Sequence, residues 1–241
     1  MSAPKPVEAL RVRIFADGAD LPVMLEMARQ KWIRGFTTNP TLMRKAGVAD
    51  YRAFARDVLA AIPDRPISFE VFSDEFAEME RQAIEIASWA PNVNVKIPVT
   101  NTRGEFAGPL LRRLSKANVA LNVTAVMTAD QVAAVVEAME GSTPAFVSVF
   151  AGRIADTGRD PLPIMIASLD HIRARPGTEL IWASPRELLN VFQADEIGCH
   201  VITVTDDILK KLSFVGRDLT QFSLDTVQMF RTDAVRAGYT L

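Results

Sequence analysis

Val93-Asn94-Val95-Lys96-Ile97-Pro98-Val99 reads as a buried strand: β-branched residues flank both polar positions and a proline closes the run. Runs of this kind recur at 11–16, 35–38, 67–71, 93–97, 120–125, 146–150, 180–183 and 201–204. Between them lie segments with the 3.6-residue apolar period, at 21–31, 51–61, 74–89, 108–117, 129–139 and 161–175. Shorter helices are expected at 185–192 and 206–212. Asp50, Ser73, Thr128 and Ser184 stand where helix caps belong. Eight strands, each followed by a helix, predict an α/β fold of the (β/α)8 TIM-barrel type. The doubly wound sheet is the structural alternative, but the first turn, Asp17-Gly18-Ala19-Asp20, lacks the GxGxxG of that fold.

Nothing marks a linker or an internal repeat, so residues 1–241 are expected to form a single barrel domain with 216–241 as a C-terminal helical tail. The tail carries Leu219, Phe222, Leu224, Val227, Met229 and Phe230. It therefore needs an apolar partner surface, on its own barrel or on a neighbouring subunit.

The composition, 49% hydrophobic and 23% charged, is ordinary for a globular protein. A formal net charge of -2 gives no general attraction for nucleic acid or an anionic membrane. A single cysteine, Cys199, rules out an internal disulfide and a thiolate zinc cluster, and its apolar surroundings suit a small core residue. Two histidines, far apart in sequence, argue against a His-based metal site. The N-terminus lacks the apolar run of a signal peptide and no stretch approaches the length of a membrane span, so a cytoplasmic location is expected.

In a barrel the reactive face is the rim at the C-terminal ends of the strands. Those ends read Asp17, Asn39, Glu70, Lys96, Asn122 with Thr124, Ser148, Ser184, and Thr203 with Thr205. For Ser184, Thr203 and Thr205 a cap or turn role suffices. Lys96 has two readings. It is either a strand-end cation paired with a carboxylate or a buried amine available as a nucleophile towards carbonyls. A barrel would gather Lys96, Asp17 and Glu70 in one mouth, and an amine with two carboxylates has the parts for Schiff-base chemistry with proton transfer. Arg153 and Arg186 follow two successive late strands, where barrels bind phosphate, and guanidinium groups fork onto phosphate oxygens.

The motifs G-F-T-T-N-P-T at 35–41, V-K-I-P-V-T at 95–100, L-N-V-T at 121–124 and S-V-F-A-G-R-I at 148–154 together resemble the transaldolase family. F-A-D-G-A-D at 15–20 and W-A-S-P-R at 182–186 match in the same order. The length is similar to the short transaldolases and their fructose-6-phosphate aldolase relatives. This resemblance implies that Lys96 is the Schiff-base lysine and Asp17 the general acid/base. It implies that Glu70 and Thr124 hold a catalytic water, that Asn39, Asn122 and Ser148 bind the dihydroxyacetone unit, and that Arg153 and Arg186 bind phosphate. It further implies sugar phosphate substrates, no cofactor and a homo-oligomer; family members of this length resemble ring-built decamers.

Aldolases of the fructose-6-phosphate type resemble a pattern with Gln at position 70 and Tyr at position 150. Glu70 and Phe150 stand on the transaldolase side. Val149 replaces the proline of the family's S-P-F, while Pro185 and Glu187 depart from its A-S-F-R-N. Both departures adjoin the phosphate arginines, which leaves the sugar open. Two other readings stand beside transfer: aldol addition of free dihydroxyacetone, and a barrel kept for binding or assembly without catalysis.

Overall fold

The computed structural model describes residues 5–240. Eight strands, β1 (Arg13–Asp17), β2 (Ile33–Thr37), β3 (Ile67–Glu70), β4 (Val93–Pro98), β5 (Leu121–Val126), β6 (Ala145–Val149), β7 (Thr178–Trp182) and β8 (Val201–Thr205), pair in sequence order. Every pairing is parallel, and β8 closes on β1 to complete a barrel. The helices are α1 (Leu21–Ala28), α2 (Pro40–Lys45), α3 (Tyr51–Ala61), α4 (Phe76–Ala87), α5 (Gly108–Lys116) and α6 (Ala129–Ala138). They continue as α7 (Ala151–Ala155), α8 (Leu162–Ile172), α9 (Leu189–Glu196), α10 (Asp206–Leu209) and α11 (Leu219–Ala237). The expected (β/α)8 barrel with a C-terminal helix is the observed architecture.

The strand interiors explain why the rim is polar. Inward positions alternate along each strand. Phe15, Phe146, Ile181, Ala183 and Val201 form a separate apolar cluster, with Phe15 and Phe146 edge to face at 5.6 Å. Gly35 makes room for this layer: a Cβ there would stand 2.6 Å from the Phe15 ring. Two residues further on, the same faces carry Asp17, Ser148 and Thr203. Hydrocarbon thus fills the barrel below and polar groups gather at its C-terminal mouth. A larger core lies between the strands' outer faces and the helices.

Several boundaries differ from the sequence-based expectation. β2 begins two residues earlier, at Ile33, and β7 two earlier, at Thr178. Asp50 and Thr128 cap α3 and α6 as expected, Thr128 in a capping box with Gln131. Ser73 does not cap α4, which starts at Phe76; its hydroxyl accepts from the Glu75 amide in the preceding turn. Ser184 does not cap the helix after β7 either. Its backbone is left-handed at φ 60°, and α9 begins only at Leu189. Asn190 instead takes the Arg186 and Glu187 amides.

Candidate active site

Lys96 lies within β4, directly between Glu70 of β3 and Asn122 of β5 in the sheet register. It is 5% exposed. Its Nζ donates to the Thr38 carbonyl at 2.8 Å and meets Glu70 Oε2 at 3.1 Å. The expected carboxylate partner of Lys96 is Glu70.

Asp17, Asn39, Glu70, Lys96, Thr124, Ser148, Arg153 and Arg186 all line one cavity of about 560 Å³ at the C-terminal mouth. Asp17 accepts from the Thr37 hydroxyl at 2.8 Å, and Thr37 in turn meets the Thr203 hydroxyl. Burial pushes the Asp17 carboxyl above its ordinary range; Lys96 and the Thr37 hydrogen bond oppose this, and the Glu70 charge adds to it. The result is a carboxyl more ready to hold a proton than an exposed aspartate.

Asn122, the register partner of Lys96, is fully buried. Its Nδ2 donates to Ser68 at 3.0 Å and its Oδ1 accepts from Ser148 at 2.7 Å. Among the sequence-predicted residues it is the one that does not line the cavity, and it acts on the mouth through Ser148. Asn39 lines the cavity while capping α2, its Oδ1 accepting from Leu42 at 3.0 Å. The buried Thr124 hydroxyl has no partner among the described residues, so it is free to bond a molecule held in the cavity that it lines.

The two arginines differ. Arg153 lies with its guanidinium 5.7 Å from the centre of the Phe150 ring and forms no ion pair among the described residues. Arg186 instead spends its fork on Asp156: Nε donates to Oδ1 at 2.9 Å and Nη2 to Oδ2. Gly152 brings the two turns together, its amide donating to the Ala183 carbonyl.

Sequence reasoning missed Thr37, Ser68, Asp156 and Tyr51. Tyr51 opens α3, and its hydroxyl accepts from the Glu70 amide at 2.8 Å and donates to the Glu70 carbonyl at 3.0 Å. Burial pushes its phenol upward, so it stays a protonated donor.

A family model described as Transaldolase/Fructose-6-phosphate aldolase matches residues 14–240. The chain belongs to this family. A protein of Dehalococcoides mccartyi described as a probable transaldolase is 36% identical over 203 residues, covering 83% of this chain and 90% of that one. A probable transaldolase of a Thermoanaerobacter species is 34% identical over 228 residues, covering 94% of this chain and 99% of the other. The transaldolase-family barrel is also similar to the solved structure of dihydrodipicolinate synthase from Rhodopseudomonas palustris. That match has a TM-score of 0.58 at 15% identity, covers 93% of this chain and 81% of that one, and speaks for the fold alone. Among the described residues no helix is long and apolar enough to cross a membrane.

Proposed function

We propose that this member of the family is a class I transaldolase, in which Lys96 carries a dihydroxyacetone unit from a ketose phosphate to an aldose phosphate. The observation that carries this reading is the buried Lys96 amine in contact with Glu70, in a cavity that Asp17 also lines. Family membership supports the same assignment.

In this reading Glu70 takes the ammonium proton and the free amine adds to the ketose carbonyl carbon. Loss of water leaves an iminium, with Glu70 and the Thr124 hydroxyl holding that water. Asp17 accepts the proton of the C4 hydroxyl as the C3–C4 bond breaks, and the electron pair moves into the iminium to give an enamine. The first aldose departs. The enamine carbon then attacks the acceptor aldehyde, Asp17 returns its proton to the new hydroxyl, and water hydrolyses the iminium to free Lys96. The raised affinity of Asp17 for protons suits both halves of its task. Ser148, steadied by Asn122, and Asn39 would bind the hydroxyls of the three-carbon unit. Arg153 and Arg186 would bind the phosphate. Side chains and water suffice for every step.

The rest of the reading is a single barrel domain working in the cytoplasm as a homo-oligomer, joined through its C-terminal helix. The family description itself names a second activity, fructose-6-phosphate aldolase; the alternative reading is therefore aldol addition of free dihydroxyacetone. Glu70 and Phe150, at the positions that separate the two, favour transfer.

The test is borohydride reduction in the presence of a ketose phosphate. It should fix a three-carbon adduct on Lys96 and nothing in Lys96→Ala; labelling at another residue would refute the assignment. Product analysis separates the two activities: transfer requires a ketose donor, whereas a free aldolase makes fructose 6-phosphate from dihydroxyacetone and glyceraldehyde 3-phosphate.

A further inference from the structure

The acidic and basic groups lining the cavity balance: Asp17, Glu70 and Asp207 stand against Lys96, Arg153 and Arg186. Asp156, which closes α7, adds a fourth carboxylate at the arginine end. Its bidentate grip covers two of the donors with which Arg186 would fork onto an oxyanion, while Arg153 remains without an ion pair among the described residues. The arrangement is built into the backbone. A Cβ on Gly152 would stand 1.6 Å from the Ser184 carbonyl oxygen and 3.3 Å from Arg186 Nε, so the turns after β6 and β7 are pressed together. This contact sets Asp156 beside Arg186.

From this geometry we infer that Asp156 is a specificity-determining residue: it competes with the substrate's phosphate for the Arg186 guanidinium, so that a phosphate must displace the carboxylate to gain the Arg186 fork and binds more weakly for it. This rests on the transaldolase reading of the site and adds a member to it. A phosphate dianion can displace a single carboxylate from a guanidinium fork; a hydroxyl cannot. Without a phosphate, Arg186 stays tied to Asp156 and the cavity holds no excess positive charge. The grip of Asp156 thereby holds the preference for phosphorylated over unphosphorylated sugars below what two unpaired arginines would give. The pair is exposed, with side-chain exposures of 46% and 53%, so the competition is moderate and reversible.

Asp156→Asn keeps the shape and removes the charge. In this variant the ratio of kcat/KM for a phosphorylated ketose to that for its unphosphorylated counterpart should rise about two- to fivefold, with the gain carried by KM. Inorganic phosphate, titrated calorimetrically into the protein without sugar, should bind the variant more tightly by a similar factor. The difference should vanish in an Arg186→Gln background. If Asp156 merely holds Arg186 in place for the substrate, the same substitution weakens phosphate binding; weaker or unchanged phosphate binding overturns the proposal. The phosphate titration needs no turnover, so it stands apart from the fate of the Lys96 assignment, which the borohydride adduct decides.

Discussion

Gly152 and Ser184 touch backbone to backbone: the Cα of one leaves no space for a methyl before the carbonyl oxygen of the other, which would lie 1.6 Å from it. Neither atom belongs to a flexible side chain, so the turns after β6 and β7 would have to separate to admit a Cβ. Gly152→Ala should cost about 1–3 kcal/mol in urea unfolding, the usual range for overpacking. It should also raise KM for a phosphorylated ketose, because the turns carry Arg153 and Arg186. Unaltered stability with unaltered KM would show that the turns part freely.

Asp17 yields a prediction whose sign follows from its raised pKa. The folded state binds its proton more tightly than the unfolded chain does, chiefly because of burial. The stability Asp17 contributes is therefore fully present below the unfolded value of 3.8 and is lost as pH rises through the folded value. Asp17→Asn removes this loss. The melting temperature of the variant should exceed that of the wild type by a margin that widens from pH 4 towards neutrality, while turnover disappears and some trapping on Lys96 persists. A margin that shrinks with rising pH would contradict the burial argument. Gains of this kind on removing a buried charge from a cavity wall would express a trade between stability and the activity proposed for it.

The strand pattern explains what could be read from sequence. Period-two alternation places Asp17 above Phe15 and Ser148 above Phe146, and the eightfold repeat brings the strand ends to one rim. Hence the grouping of Asp17, Glu70 and Lys96 in a single cavity was legible. The helices α2 and α7, of six and five residues, are too short to reveal a period of 3.6. Tyr51 reaches Glu70 from the start of an outer helix, 19 residues away in sequence. Asp156 meets Arg186 across 30 residues. Such pairs depend on the closed barrel, and no local spacing announces them. Ser184 misled for a related reason: its identity suits a cap, but its left-handed backbone does not.

At the other end of the barrel, Asp195 fastens the chain's entry. Its Oδ1 accepts from the Arg11 amide at 2.6 Å and the Val12 amide at 3.1 Å, and its Oδ2 from Lys5 at 2.8 Å. Burial pushes the carboxyl up, but Lys5 and the two amides together outweigh burial and hold it below the ordinary range. Its stabilisation is present above the unfolded value of 3.8 and is lost as pH falls through the folded value. Asp195→Ala strands two backbone donors. It should cost about 1–3 kcal/mol in urea unfolding, with KM unmoved, since the cavity lies at the opposite end. A kinetic defect without loss of stability would contradict this division.

Cys199 is buried, its thiol pushed up to about 12 by desolvation, and its Sγ lies 3.5 Å from the Leu180 carbonyl and 3.3 Å from the Val201 carbonyl. A thiol so far from its reactive anion should ignore aromatic disulfide reagents in the native protein and react only at the rate of unfolding. Prompt labelling under native conditions would mean that β8 opens locally.

Helix α11 buries none of its residues, and Leu224, Val227 and Phe230, spaced three apart, are 48%, 60% and 64% exposed. A 19-residue helix with that much apolar surface in water gains by covering it, and a second copy of the chain offers the same surface in return. Light scattering should therefore give a multiple of 26.5 kDa. Val227→Glu with Phe230→Glu, placing charges in the middle of the apolar stripe, should shift the mass towards 26.5 kDa while leaving the circular dichroism of the barrel intact. A wild-type mass of one chain would refute assembly through this helix. An unchanged oligomer in the double variant would move the contact to another face of the barrel.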